Sequence, residues 1–216
     1  MSLPRPIRLI TFEGSEGAGK STQVRRLEAR LRALGHRVLT VREPGGTLLG
    51  ERLRALLKER TPELSICPEA ELLLFLAARA QVVREAIEPA LRNQSWVLSD
   101  RFSDSTLAYQ GSGRGFPAPL LRSLNEIACA GLTPGMTFVL DISSAEGRAR
   151  IARRAAAGAS TDRMETEPPE FFERVRAAYR KLAESEPGRI VLIDASGSEE
   201  EIATRIWENV SRVFGL

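Results

Sequence analysis

Gly14-Ser15-Glu16-Gly17-Ala18-Gly19-Lys20-Ser21 is the stretch on which the reading of the fold turns. It satisfies G-x-x-x-x-G-K-[ST], and after Thr22 the apolar residues Val24, Leu27, Leu31 and Leu34 fall at helical spacing. Before it stands Arg8-Leu-Ile-Thr-Phe-Glu13, a β-rich segment. Strand, glycine-rich turn and helix, in that order, are the context in which such a motif binds phosphate. Glycines let successive backbone N–H groups turn inward on an anion, and the helix adds the positive end of its dipole. The spacing therefore predicts a nucleoside triphosphate cradled by Gly14 to Thr22, with Lys20 reaching the β and γ phosphates and Ser21 ligating Mg²⁺. No N-K-x-D tetrapeptide is present to read guanine, so ATP is the expected donor.

Outward from the motif, strands and helices alternate. Gly35 is expected to stop the first helix, His36 to Val41 reads as a strand, and Glu43-Pro-Gly-Gly46 precedes a helix from Thr47 to Lys58. Pro68 opens a longer helix that Pro89 is expected to kink or end. Trp96 to Ser99 reads as a buried strand ending at Asp100, Pro119 to Ala130 as a helix, and Met136 to Leu140 as a strand ending at Asp141, itself expected to cap a helix from Ser144 to Arg154. A helix then starts at Pro168 or Pro169, Ile190 to Ile193 is the last strand, and Ser198 begins the final helix. Five strands alternating with helices predict an α/β fold with a five-stranded parallel sheet covered on both faces. The Ala/Arg-rich piece from Arg148 to Arg163 reads as a mobile flap.

Composition bounds the rest. The 216 residues fit one domain, taken here as 1–216, since a domain typically has about 150 residues. Hydrophobic residues at 43% and charged residues at 27% exclude a disordered tail and a small disulfide scaffold. The longest apolar run, Leu72 to Ala78, is far short of the roughly 20 residues that span a bilayer, so no membrane is expected as partner. Met1 to Ile10 lacks the apolar core of a secretory signal, which makes the cytoplasm the expected compartment. Cys67 and Cys129 read as buried small hydrophobes, and His36, the sole histidine, leaves a zinc site unexpected. A net charge of +3 with no aromatics interleaved among the arginines gives no reason to expect nucleic acid.

A phosphate loop leaves the fate of the γ phosphate open, so a second site must decide it. Asp100-Arg101 follows a strand end, where the carboxyl edge of a parallel sheet gathers ligands. The carboxylate there can hold Mg²⁺ and the guanidinium can bridge two phosphates. Phe75 and Arg79, four residues apart on one helix face, form a candidate base-reading pair: a ring to stack and a guanidinium to donate.

Together these residues resemble the bacterial thymidylate kinase family. The resemblance covers nearly the whole chain, through Phe12 to Thr22, Arg42-Glu-Pro-Gly-Gly46, Phe75 with Arg79, Asp100-Arg101-Phe102 and Ser105-Thr-Leu-Ala-Tyr-Gln-Gly111. It implies a P-loop kinase fold and Mg²⁺-dependent transfer of the ATP γ-phosphoryl group to dTMP in a homodimer. It further implies that Glu16 contacts the sugar 3′-hydroxyl, Arg101 and Arg54 hold the acceptor phosphate, and Asp100 is metal-associated. Phe75 would stack on thymine and Arg79 donate to its O4, with Thr106 and Gln110 lining the base pocket and Ser105 and Tyr109 beside it. Where some members carry an arginine inside the P-loop this chain has Gly17, so a lid over about 148–166 would supply the cations through Arg150, Arg154 and Arg163, with Arg153 an alternative to Arg154. Two rivals remain open on the residues alone: a kinase for another nucleoside monophosphate, and a nucleotide-switched binding protein.

Overall fold

The structure, a computed structural model, describes residues 6–61, 63–158 and 163–216. Five strands, β1 (Leu9–Glu13), β2 (Val38–Arg42), β3 (Trp96–Asp100), β4 (Met136–Asp141) and β5 (Ile190–Asp194), form one parallel sheet in the order β2-β3-β1-β4-β5. β1 is central and buried along its whole length, with Phe12 in register with Asp100 of β3 and Phe138 of β4.

Side chains alternate across a strand, so each strand feeds two layers. On one face Ile10, Phe12, Trp96, Leu98, Phe138 and Leu140 pack with Val24, Leu27 and Leu31 of α1 (Lys20–Ala33) and Ile202, Ile206 and Val210 of α9 (Glu199–Phe214). On the other, Leu9 and Val97 meet Val82 of α3 (Pro68–Val82), while Val139 meets Phe171, Phe172, Val175 and Tyr179 of α8 (Pro169–Ser185). Between those two apolar clusters the second face carries polar side chains with no exposure at all: Thr11, Glu13, Ser99 and Thr137. They are satisfied internally, as buried polar groups must be. The Thr11 and Thr137 hydroxyls lie 2.7 Å apart, and Arg189 donates to both Thr137 (2.9 Å) and Asp104 (2.7 Å). This polar seam is the floor on which the site is built.

Helix starts follow their capping residues. Thr47 accepts from the Gly50 N–H at 3.0 Å to open α2 (Leu48–Lys58), and Ser198 with Glu201 forms a capping box on α9. Three expectations are corrected, the first of them in part. Of the expectation that Pro89 kinks or ends its helix, the ending is corrected: a π-helical turn, Val83–Ile87, follows α3, and α4 (Glu88–Arg92) continues with Pro89 in its first turn, the widened turn accommodating a residue without an N–H. Asp141 is not a helix cap; its carboxylate takes two bonds from Arg176 (2.6 and 2.9 Å), and Ser143 caps α7 (Ser144–Ala156) instead. Cys67 is exposed at the entrance to α3, and only Cys129 is buried. The stretch expected as a flap is helical through Arg148 to Arg154 within α7; residues 159–162 lie outside the described residues, and Met164–Thr166 form a short 3₁₀ turn. Among the described residues no helix is long and apolar enough to cross a membrane.

Candidate active site

At the carboxyl end of β1 the chain curls from Gly14 to Gly19, which adopts a left-handed conformation (φ 91°) immediately before α1. Lys20 is buried and folds back over the loop, donating from Nζ to the carbonyls of Gly14 (3.1 Å) and Ser15 (2.9 Å). Burial, and then Arg101, lower its pKa from the usual lysine range. Gly17 sits at φ 78°, and a Cβ there would meet the Gly147 carbonyl oxygen of α7 at 2.5 Å. The loop thus rests against α7 so closely that position 17 excludes an arginine in this arrangement.

β3 ends beside the loop. Ser21 Oγ donates to Asp100 Oδ2 at 2.5 Å, which places a hydroxyl and a carboxylate oxygen together at the mouth of the phosphate loop. Arg101 adopts φ 74°, a conformation disfavoured for a residue with a Cβ, and the surroundings hold it there. Its N–H donates to Phe12 O (2.9 Å), its carbonyl accepts from Ser99 Oγ (2.6 Å), and the next N–H, that of Phe102, donates to Glu13 Oε1 (2.7 Å). The outcome is a guanidinium turned toward the loop, bonded to Glu16 (2.6 Å), the Tyr109 hydroxyl (3.0 Å) and Gly14 O (3.1 Å). Burial alone would raise the Glu16 pKa, but Arg101, Lys20 and Lys58 outweigh it and hold the carboxyl at about 2.

The opposite wall comes from α3 and from the segment after β3. α5 (Ser103–Thr106) passes into a π-helical stretch, Leu107–Gly113, which turns Tyr109 and Gln110 inward. Phe75 is half-buried on α3, and one turn later Arg79 is 2% exposed. Arg79 donates to Glu43 (2.7 Å), Thr106 (2.6 Å), Asn125 on α6 (Ala118–Cys129; 2.9 Å) and Phe102 O (2.9 Å). Gln110 donates to buried Glu71 (3.1 Å), and Arg54 donates to Pro44 O (2.8 Å), after the cis Glu43–Pro44 bond. These elements enclose one cavity of about 790 Å³ that runs from Gly17, Lys20 and Ser21 past Asp100 and Arg101 to Phe75, Arg79 and Gln110.

Comparison with known proteins places this geometry. The family model described as thymidylate kinase matches residues 12–206. The chain belongs to the thymidylate kinase family. A thymidylate kinase of Deinococcus radiodurans is 50% identical over 202 residues, covering 94% of this chain and 95% of that protein. One of Solidesulfovibrio magneticus is 48% identical over 209 residues, with 95% and 99% covered. The crystal structure of thymidylate kinase from Ehrlichia chaffeensis superposes with a TM-score of 0.76 at 31% identity, covering 96% of this chain and all of that one.

Seen as a thymidylate kinase, the chain gathers most of the expected residues. Glu16, Gly17, Gly19, Lys20, Ser21, Thr22, Arg54, Phe75, Arg79, Asp100, Arg101, Ser105, Thr106, Tyr109 and Gln110 all line the cavity. Among the arginines expected of a lid, Arg150 and Arg154 line it too, paired with Glu146 and Glu165, whereas exposed Arg153 bonds Ala149 O at 3.4 Å. Arg163 does not line the cavity but stands behind its wall, donating to Glu71 (2.7 Å) and to the carbonyl of Leu57, a lining residue (3.2 Å). Sequence reasoning missed Glu13, Glu43, Glu71, Arg114 and Tyr179, the groups that hold the lining in place. Arg114, for one, bridges Glu71 (3.0 Å) and Glu167 (2.6 Å). The available signal was parity: Glu13 stands on the same face of β1 as Thr11, where a strand buried on both sides must find partners for polar groups.

Proposed function

We infer that the chain transfers the γ-phosphoryl group of ATP to the 5′-phosphate of dTMP, giving ADP and dTDP, a step that feeds dTTP synthesis. One observation carries the reading: a single cavity has an anion-binding loop at one end and an aromatic ring among buried polar groups at the other, with Arg101 between them. In this reading Gly14 to Thr22 cradle the ATP phosphates, and Lys20 exchanges the Gly14 and Ser15 carbonyls for phosphate oxygens. Phe75 stacks on thymine. Arg79 spends four N–H groups on protein acceptors, and a guanidinium has five, so one on Nη2 is left to donate to the base. Thr106 and Gln110 line the base pocket, with Ser105 and Tyr109 beside it, Glu16 meets the sugar 3′-hydroxyl, and Arg101 with Arg54 holds the acceptor phosphate.

Ser21 and Asp100 offer hard oxygen donors side by side and fit Mg²⁺. Bound there with ATP, the ion would supply positive charge to the β and γ phosphates. The bond from the γ phosphorus to the β–γ bridging oxygen breaks as one forms to an acceptor phosphate oxygen. A phosphate monoester, with a second pKa of about 6, is already a dianion at neutral pH, so no general base is required. The protein's contribution is in-line positioning and neutralisation of charge by Lys20, Arg101, Arg150 and Arg154. Arg163 joins them only after leaving Glu71.

The chain is further proposed to act in the cytoplasm as a homodimer, with no nucleic-acid or membrane partner. Leu73 on α3 and Ile127 on α6, helices that pack together, are 60% and 77% exposed and offer the apolar face for a second copy. An ADP-coupled assay with dTMP, dCMP, dGMP and UMP tests the activity. The expected outcome is ADP release that requires a monophosphate and is fastest with dTMP; ATP turnover indifferent to dTMP overturns the reading.

A further inference from the structure

Glu13, the last residue of β1, has no solvent exposure, and the transfer as described does not use it. Its Oε1 accepts the Phe102 N–H (2.7 Å), and its Oε2 accepts the hydroxyls of Ser105 (2.6 Å) and Tyr179 (2.7 Å). The oxygens of those two hydroxyls also face Arg101, whose Nη1 lies 3.3 Å from Ser105 Oγ and 3.4 Å from Tyr179 OH. A hydroxyl carries one hydrogen. With both hydrogens committed to the carboxylate, both oxygens turn lone pairs toward the guanidinium.

We propose that Glu13 is a positioning residue for the acceptor-phosphate arginine: by claiming the Ser105 and Tyr179 hydrogens and tethering Phe102 N–H, it aims Arg101 at the acceptor. The inference rests on the reading of Arg101 given above. A neutral group at this position loosens that polarity. A carboxylic acid or an amide donates a hydrogen of its own, and the two hydroxyls, whose oxygens lie 3.0 Å apart, can then donate to one another or toward Arg101 instead of both being committed to Glu13.

The charged and titratable groups that face Glu13 are Asp104 on α5, Arg101 after β3, Lys20 on α1, Arg79 on α3, Tyr109 on the π-helical stretch and Tyr179 on α8. Burial and then Asp104 push the Glu13 carboxyl up to about 7 against the pull of Arg101. Its ionised form is therefore costly to keep in the fold near neutral pH, and removing the charge relieves that cost. Positioning and stability then move in opposite directions, which separates this role from a structural one.

The test is steady-state kinetics of Glu13→Gln, Tyr179→Phe and Arg101→Ala in the full chain, with ATP and dTMP varied separately on both sides of pH 7. Glu13→Gln is expected to lower kcat/KM for dTMP roughly tenfold, the scale of a hydrogen bond to a charged group, while KM for ATP holds and Tm above neutral pH stays or rises. The wild type should gain kcat/KM for dTMP as pH rises through about 7, and that limb should vanish in Glu13→Gln. A limb due to the dTMP phosphate, near pH 6, persists in both. Tyr179→Phe should reproduce part of the loss and show less than additive effects with Glu13→Gln. Unchanged kcat/KM for dTMP in Glu13→Gln, or a loss shared equally with ATP and accompanied by a lower Tm, overturns the proposal. If Glu13→Gln does not fold, Tyr179→Phe decides: a selective loss toward dTMP supports the proposal and no loss overturns it. Arg101→Ala with an unchanged KM for dTMP overturns the acceptor reading and this inference with it. Weakened dTMP in Arg101→Ala with none in Glu13→Gln overturns this inference alone.

Discussion

Replacing Arg79 with methionine would keep most of the volume of a side chain that is 2% exposed while deleting the charge facing Glu43. Glu43 is itself 4% exposed, and its Oε1 has no hydrogen-bond partner among the described residues. Burial already raises its pKa despite the adjacent guanidinium. Removing one partner of such a pair costs about 3–5 kcal/mol, because the remaining charge must stay buried alone or take up a proton. In a domain of this size each kcal/mol moves Tm by about 2–4 °C, so Arg79→Met should lower Tm by roughly 6–20 °C. A carboxyl whose folded pKa lies above its unfolded one favours the fold at low pH and loses that advantage as pH rises through the raised value, so the loss should shrink below the ordinary glutamate range. Urea unfolding of Arg79→Met and of Arg79→Met/Glu43→Met measures this directly. The double variant should recover most of the stability, since an apolar pair of similar size replaces a buried ion pair at little cost. A single-variant loss below about 1 kcal/mol, or a double variant no better than the single, refutes the reasoning. KM for dTMP in the double variant, set against Glu43→Met alone, then isolates the contribution of Arg79 to base reading, since Glu43 lines the cavity too.

Glu16, held at about 2 by Arg101 once burial is overcome, should stabilise the fold by about 2 kcal/mol at neutral pH, allowing for its partial exposure. Its folded pKa is depressed, so that contribution is complete above the ordinary carboxylate range and is lost as pH falls toward 2; a wild-type minus Glu16→Gln difference that ignores pH would contradict it. Arg154→Ala should cut kcat on the scale of about 10³-fold, as loss of an arginine does in phosphoryl transfer, with KM for dTMP within a few-fold of wild type. Wild-type turnover in that variant removes Arg154 from the mechanism.

What could be read from the amino-acid order was what depends on local geometry. The phosphate loop is a backbone device, so its glycines and Lys20 announce it; the strands are apolar runs, and α2 and α9 begin at Thr47 and Ser198, where a side chain can cap. Asp100-Arg101 was legible because a charged pair ending an apolar strand has few other uses. The partners of Arg79 were not. Glu43 lies 36 residues before it and Asn125 lies 46 after, and only packing brings all three together. The link from Tyr179 to Glu13 spans 166 residues and depends on the register of β1 and on α8 crossing the sheet there. Pro89 misled because a π turn upstream absorbs it, and Cys67 because a cysteine beside a helix start need not face the core.

The carboxylates around the cavity explain how one site can hold many arginines before any phosphate arrives. Arg101 pairs with Glu16, Arg150 with Glu146, Arg154 with Glu165 and Arg163 with Glu71, so each of these four arginines has an acidic partner in the fold. Exposure decides which pairs are exchangeable, since exposed ion pairs are worth about 0–1 kcal/mol whereas buried ones resist separation. Arg154 is 49% exposed and Arg101 is 14% exposed. On the proposed reading Arg154 reaches its phosphate from the solvent side, but the Glu165 it pairs with is only 6% exposed, so the exchange costs more than parting an exposed pair. Arg101 must instead receive the acceptor without surrendering Glu16, and a fork with five N–H groups can do so only when the protein sets its direction beforehand. That requirement is why the groups behind Arg101, and Glu13 first among them, matter as much as the groups that touch substrate.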